Sequence, residues 1–432
     1  MRIRFHTLLA MAAATVAVTG AVGGAPLAAP AAAPPPPAEH VVFIGLDGFD
    51  AAYLDDAPMP NLRQLAKRGS LTTSTGVMTS ITNPSWSSIA TGAWPATHQN
   101  TAYWFDAETG TARSQQRDLA VPTIAQALRA QGATVMSSQW FILQNYGVTY
   151  GDPDGLYTQP GGGCERRADD AIAVLRAEPV NSGGQMTTTN GIPDLIAVYC
   201  DTLDVLGHAD GAGAAGMPAA LAEVDTQIGR IVQAVKDAGV YGRTAFVVTG
   251  DHGMGTFTEG MQPQLLEAVA ATGFQVEMLS AGRAPRPETD VVIVVGGVGS
   301  LHLIGDAATD PTAAARIEDA IAALPNIAAV YDEQDQADLH MSPKYGELVI
   351  EPAAGWSLGA TPGDPAGVHG TTRELDVPLL LAGSGVRPHR APDAPRHIDV
   401  APTIAALLGY EGPAGADGRV LDEAIRLRGA AG

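Results

Sequence analysis

The chain has 432 residues, of which 46% are hydrophobic and only 16% charged, so it can bury a large core and is too apolar for a disordered protein. Its formal net charge is −21 and no Lys/Arg-rich run occurs, which excludes binding along a nucleic-acid duplex by phosphate neutralisation. An acidic balance of this kind suits carboxylates gathered around divalent cations.

From the amino terminus, Arg2 and Arg4 precede an apolar run from Leu8 to Val22, and small residues continue through Ala33. That is the pattern of a Sec-type secretory signal peptide over 1–33, and it predicts a secreted protein, extracellular or periplasm-like. The run is too short and too alanine-rich to read as a membrane span. Pro34 to Pro37 then form a stiff spacer, taken as 34–40.

Val41–Leu46 is a continuous apolar run, as expected of a strand buried on both faces, and it ends in Asp47-Gly48. Asn61–Gly69 carries a capping residue, helical apolar spacing and a terminal glycine, and reads as a short packing helix. Ser80–Gly92 follows. Pro84 belongs in the first turn of a helix, which places a helix start beside Thr82-Asn83 and aims the positive end of the helix dipole at the Thr82 hydroxyl. Taken alone, Thr82 is also an ordinary N-cap. Asn100–Asp106 contains Tyr103, Trp104 and Phe105, a trio suited either to core packing or to lining a substrate pocket. Pro122–Ala130 and Ala133–Ser137 read as a helix followed by a strand.

A second buried strand, Asp194–Tyr199, leads into Asp204 and His208, four residues apart and able to reach one cation. After a long helix over about 218–238, a third buried strand, Thr244–Thr249, ends in Asp251-His252. Acids at the carboxyl ends of buried parallel strands stand where α/β enzymes bind ligands. Between 255 and 365 the pattern changes to strands at 291–295, 301–304 and 347–351 with a helix at 311–324, read as an inserted α+β cap. The catalytic α/β domain is then 41–254 and 366–432. In the cap, His302 and His340 read as structural. His369 stands between bend-permitting glycines in Gly367–Gly370. Val377–Ala382 is a last strand and Asp399–Ile404 starts a last helix, with His389 and His397 read as surface residues. Cys164 and Cys200 either remain two buried thiols or form one disulfide closing a loop of about 36 residues, worth ~3–4 kcal/mol in the chain-entropy picture.

Asp47, Asp204, His208, Asp251, His252 and His369, with the Thr82 oxygen as a seventh ligand, form a mixed nitrogen and oxygen set. It fits two Zn²⁺-like ions better than calcium or magnesium. Two such ions can clamp the attacking and leaving oxygens of an in-line displacement.

Asp47-Gly48, Thr82-Asn83-Pro84, Asp204 with Gly207-His208, Asp251-His252-Gly253 and His369-Gly370, in that order, resemble the type I phosphodiesterase/nucleotide pyrophosphatase family of the alkaline phosphatase superfamily. The likeness runs from Val41 to about Leu408, and Asp399-Val400-Ala401-Pro402-Thr403 matches a late superfamily segment. It implies an alkaline-phosphatase-like α/β fold, with a mostly parallel central sheet and helices on both faces. It implies Asp47, Thr82, Asp251 and His252 around one zinc ion, and Asp204, His208 and His369 around the other. Thr82 would be the nucleophile that forms a covalent phosphothreonine. The resemblance is also taken to imply a phosphoryl-oxygen donor from an asparagine three residues after the nucleophile. This chain has Ser85 there, a shorter side chain with one donor, and the Asn83 backbone N–H would carry part of that contact.

Asn83, Ser85, Trp86 and Tyr103 are thus the candidate substrate contacts. The substrate would be a small phosphodiester, nucleotide or phosphonate. Phosphonate hydrolase and phosphomonoesterase are the alternatives within the superfamily, and a non-catalytic secreted binding protein is the alternative outside it. A sulfatase would need an arginine that the Thr82–Trp86 segment lacks.

Overall fold

Val41 to Leu46 offers no side chain that water would hold, and the fold closes over both of its faces. In the computed structural model, which describes residues 36–427, this run is strand β1 (His40–Leu46). With it run β2 (Gly69–Thr75), β3 (Val135–Ser138), β4 (Gly155–Thr158), β5 (Leu195–Cys200), β6 (Thr244–Gly250) and β7 (Asp376–Gly383). They form one sheet in the order β2-β7-β6-β1-β5-β3-β4. β1 pairs in parallel with β6 and β5, and β3 pairs in parallel with β5 and β4. Only β7 is reversed, antiparallel to both β6 and β2. This is the expected mostly parallel α/β sheet. The expected signal segment at 1–33 lies outside the described residues. The expected spacer ends earlier than 40: Ala38 donates to the Leu407 carbonyl, Glu39 to that of Arg243, and His40 is already in β1.

Side-chain alternation along β1 assigns the two cores. Val42, Ile44 and Leu46 pack with helices that include α2 (Cys164–Leu175) and α4 (Met217–Asp237). Val41 and Phe43 pack with α1 (Thr82–Thr91) and α5 (Val400–Leu408). A parallel sheet covered on both faces needs such continuous apolar strands. Gly45 permits the closest of these contacts, because a Cβ there would lie 2.6 Å from the Trp86 ring. Trp86 stands edge-on to Phe43, Trp140 and Tyr199.

Cys164 and Cys200 are joined, Cα to Cα 4.8 Å, so the amino end of α2 is tied to the last residue of β5. His397, expected at the surface, is fully buried, and burial holds its imidazole down at about 3, neutral at ordinary pH. The proline-rich loop folds inward there, with Gly76 leaving room for the ring.

Within 255–365 lies a second sheet of five strands, in the order 276–278, 291–296, 298–303, 348–352 and 327–331. Helices Gln262–Ala270 and Ala313–Ala322 bury apolar residues with it. Gly255–Gly260 pairs with both Gly355–Ser357 and Ala366–Val368, which fastens the two ends of this segment together. At the hairpin turn, a Cβ on Gly297 would lie 1.9 Å from the His369 carbonyl oxygen, so the turn can close on that residue only as glycine.

Substituting Gly45→Ala should overpack the Trp86 contact and lower stability by about 1–3 kcal/mol. Urea denaturation should show a lower midpoint with an unchanged slope. An unchanged midpoint would mean that the indole can shift at no cost.

Candidate active site

β6, β1 and β5 are adjacent and parallel, so their carboxyl ends open on one side of the sheet. Asp47 follows β1, Asp251-His252 follows β6, and Asp204 and His208 lie on α3 (Thr202–Asp210) after β5. The backbone knits these ends. Gly48 N–H donates to Asp251 Oδ1 at 3.0 Å, and Asp204 N–H donates to the Asp47 carbonyl at 3.2 Å. Gly48 has a left-handed φ of 71°, and a Cβ there would meet the Asp204 backbone at 2.9 Å. His369 arrives from the short strand Ala366–Val368. Thr82 is the first residue of α1, and every later residue of that helix is buried while Thr82 is not.

Two groups of ligand atoms result: Asp47, Asp251 and His252 in one, and Asp204, His208 and His369 in the other. In the first, His252 Nε2 lies 3.3 Å from both Asp47 Oδ1 and Asp251 Oδ2, and Thr82 Oγ1 lies 3.2 Å from the same nitrogen. In the second, Asp204 Oδ1 is 3.3 Å from His208 Nε2 and 3.6 Å from His369 Nε2. The His252 and His369 rings stack at 3.5 Å and join the two groups.

All three imidazoles are fixed through Nδ1, which donates to a backbone carbonyl: His252 to Gly253 at 2.9 Å, His369 to Ser80 at 2.8 Å, His208 to Gly367 at 3.2 Å. Such bonds set the tautomer that leaves an Nε2 lone pair for a cation. The carboxylates match this. Asp47 Oδ1, Asp204 Oδ1 and Asp251 Oδ2 are buried with no hydrogen-bond donor among the described residues. Buried acceptors without donors are costly, and a divalent ion at each group would satisfy them. The residues fit two such ions.

The electrostatics express the same crowding. Burial and the Asp47 charge push the Asp204 carboxyl up to about 7, and the same causes raise Asp251. Burial opposes protonation of His252, but Asp251 and Asp47 outweigh it and raise the imidazole to about 10. Asp47 is lowered despite its burial, chiefly by the adjacent His252 imidazole and then by the donors Tyr199 and Trp86. His369 falls well below the ordinary range through burial and the neighbouring imidazoles.

Two of the expected substrate contacts are corrected. Trp86 is fully buried and donates its indole N–H to Asp47 Oδ2 at 3.2 Å, so it positions a ligand and does not face the cleft. Ser85 is fully buried inside α1, with its hydroxyl unpartnered among the described residues, and presents nothing to a phosphoryl group. The expected Asn83 N–H donor is also committed, to Gln115 Oε1 at 2.9 Å. Tyr103 has a left-handed φ of 55° and packs its ring over Gly296 at the cap hairpin, beside the turn that abuts His369.

Sequence reasoning missed Tyr199, whose hydroxyl donates to Asp47 Oδ2 at 2.5 Å. It sits in an apolar strand and gives no motif. Also missed was Arg167, buried on α2, which bonds the Tyr199 carbonyl and Asp201 Oδ2 and so pins the start of α3. Asp50 was missed as well: it accepts from Met254 N–H and steadies the loop after His252.

A mostly parallel α/β sheet with two clusters of metal-ligating side chains at adjacent strand ends defines an alkaline-phosphatase-like hydrolase architecture. The model of the type I phosphodiesterase/nucleotide pyrophosphatase family matches residues 41–372, and the chain belongs to that family. It is 27% identical over 225 residues to the bis(5′-adenosyl)-triphosphatase enpp4 of Xenopus laevis, across 50% of this chain and 47% of that relative, so the match spans about half the relative's length. Murine ectonucleotide pyrophosphatase/phosphodiesterase 5 superposes with a TM-score of 0.64 at 18% identity, over 86% of this chain and 96% of that one. Its inactive variant, solved in complex with AMP, gives the same TM-score at 18% identity over 87% and 96%. The human counterpart gives 0.65 at 17% identity over 86% and 96%. At these identities the structural likeness concerns the fold.

Stripping ions with a chelator should lower the melting temperature, and the gap between loaded and stripped protein should widen with pH. The Asp204 carboxyl is raised above its unfolded value, so in the stripped protein it favours the native state at low pH. That advantage disappears as pH rises from about 4 to about 7. A bound ion keeps the same group deprotonated, so its stabilisation grows over that window. The buried neutral histidines His98, His302 and His397 contribute equally to both forms and cancel in the difference. Paired calorimetric scans at pH 5 and 7.5 measure it; a gap independent of pH would contradict the assignment of Asp204 as a ligand.

Proposed function

We propose that this protein is a secreted, two-zinc phosphodiesterase/nucleotide pyrophosphatase that works through a covalent phosphothreonine on Thr82. One observation carries the reading. Three buried carboxylate oxygens without donors and three imidazole Nε2 atoms of fixed tautomer converge beside Thr82, the one residue of α1 that is not fully buried. Asp47, Thr82, Asp251 and His252 would hold one ion, and Asp204, His208 and His369 the other. Three imidazoles among the ligands favour zinc over harder cations. When bound, such ions supply Lewis-acid polarisation of phosphoryl oxygens and lower the proton affinity of hydroxyl groups bound to them.

Thr82 supplies the nucleophile. Its Oγ1 bonds to phosphorus while the bond to the leaving alcohol breaks, and the Thr82 phosphoester is then hydrolysed to release a phosphomonoester and restore the hydroxyl. Burial of the rest of α1 holds that hydroxyl in place, and Ser80 positions the opposite side by accepting from His369. Trp86 and Tyr199 both donate to Asp47 Oδ2, leaving its Oδ1 to face His252. The described residues that touch the ligand set include no lysine or arginine to neutralise an extra phosphate charge, which favours diesters over monoesters. The Xenopus laevis relative is named for a dinucleoside triphosphate and the murine structure holds AMP, which supports nucleotides as one substrate group. The signal pattern at 1–33 supports secretion, and no described helix is long and apolar enough to cross a membrane.

Thr82→Ala should reduce turnover of bis(4-nitrophenyl) phosphate by at least about 10³-fold while the melting temperature and zinc content change little. Retained turnover would remove Thr82 as the nucleophile. Tyr199→Phe deletes the donor to Asp47 and should weaken zinc binding about 10-fold or more in a competitive chelator titration. Unchanged affinity would show that Trp86 alone positions the carboxylate.

A further inference from the structure

Beside the nucleophile lies a cavity of about 500 Å³ that the chemistry at phosphorus does not use. Asn83, next to Thr82, forms one wall, and Phe141, edge-on to Tyr199, forms another. Three of its glutamines share one pattern, whereas Gln116 spends its amide N–H₂ on the Ser114 and Gln115 carbonyls. Gln115 accepts from the Asn83 N–H, and Gln144 accepts from Arg117 at 2.9 Å. An N–H and a guanidinium only donate, so the accepting atom of each glutamine is its carbonyl oxygen, and each NH₂ group is left without a partner among the described residues. Gln159 likewise turns its Oε1 to the Tyr150 hydroxyl at 2.9 Å. The hydroxyl of Tyr157, a fully buried residue lining the same cavity, has no partner among the described residues either.

The cavity therefore offers amide N–H₂ donors and one amphoteric phenol. No carboxylate lines it, which disfavours a cationic group. Phe141, half-buried, is the one ring in its wall that is not fully buried, so a planar base has no second face to stack against. Arg117 is tied to the Phe141 carbonyl and to Gln144. In an in-line displacement the leaving oxygen lies opposite the nucleophile. A cavity walled by the residue after Thr82 thus takes the group that stays on phosphorus.

Resting on the phosphodiesterase reading above, we propose that this cavity selects diesters whose retained alcohol is a neutral, hydroxyl-rich group such as a polyol. Hydroxyl oxygens accept from the amide N–H₂ groups of Gln115, Gln144 and Gln159, and a hydroxyl proton reaches Tyr157. A site built to hydrogen-bond substrate hydroxyls discriminates against analogues that lack them.

The test is kcat/KM for the 4-nitrophenyl phosphodiesters of glycerol, choline and thymidine, with bis(4-nitrophenyl) phosphate as reference. The glycerol ester should exceed the choline ester by about tenfold or more. Gln144→Leu and, separately, the conservative Tyr157→Phe should each lower the glycerol-to-choline ratio about five- to tenfold, mainly through KM, as expected for one neutral hydrogen bond. A choline or thymidine ester preferred over the glycerol ester would overturn the proposal, as would a ratio that neither variant moves. If the reference diester is turned over without discrimination among the three esters, the pocket assignment fails and the phosphodiesterase reading stands. If the zinc-loaded protein turns over no diester at all, both fall together.

Discussion

Three carboxylates crowd a buried corner with more negative charge than its surroundings can balance. Asp47 and Asp251 are fully buried and Asp204 nearly so, and each turns one oxygen to a point where the described residues provide no donor. Without ions, one imidazole, His252, must serve as counter-charge for all three, which is why its proton is held so tightly. Breaking a buried charge arrangement by removing one partner is strongly destabilising. The corner is therefore built for a cation, and the surrounding structure can be read as the means of keeping the acids where a cation needs them.

That framework is covalent, steric and hydrogen-bonded at once. Parallel pairing of β6, β1 and β5 puts three chain ends side by side, and the Cys164–Cys200 bridge fixes the last residue of β5 before the chain turns into α3. Arg167 secures the first residues beyond. Trp86 serves twice: its ring fills the space that Gly45 leaves above β1, and its indole N–H holds Asp47 from behind. A single helix, α1, thus carries the half-buried Thr82 hydroxyl at one end and, one turn later, the prop for the Asp47 carboxylate. Movement of that helix would displace the Thr82 hydroxyl and the Asp47 carboxylate together.

The sequence made legible what depends on local pattern. Apolar runs marked β1, β5 and β6 to within a residue or two, because strands covered on both faces have no polar positions to blur them. The acids and histidines at their ends were visible for the same reason: polar residues stand out against such runs. β2, with its Ser/Thr-rich edge sequence, and the four-residue β4 gave no comparable signal. Contacts made across the sheet were hidden too. Tyr199 reads as one more apolar strand residue, Trp86 as a pocket aromatic, and His397 as a surface residue in a proline-rich loop. Each is defined by a partner far away in sequence, and spacing along one segment cannot reveal that partner. Ser85 shows the converse error: three residues after Thr82 in sequence, it is fully buried inside the helix.

Reactivity and recognition occupy different parts of this architecture. The ligands stand at strand ends locked by the sheet, whereas Gln115, Gln144 and Gln159 come from three separate connections that meet outside it. Loops tolerate substitution where buried strand ends do not. The strand-end cluster can therefore stay fixed while the hydrogen-bonding character of the adjoining cavity changes, and under the proposed reading those loops would set the retained alcohol. Asn83 joins the two parts: it follows Thr82 in the chain, and through its N–H to Gln115 it anchors the first wall of the cavity.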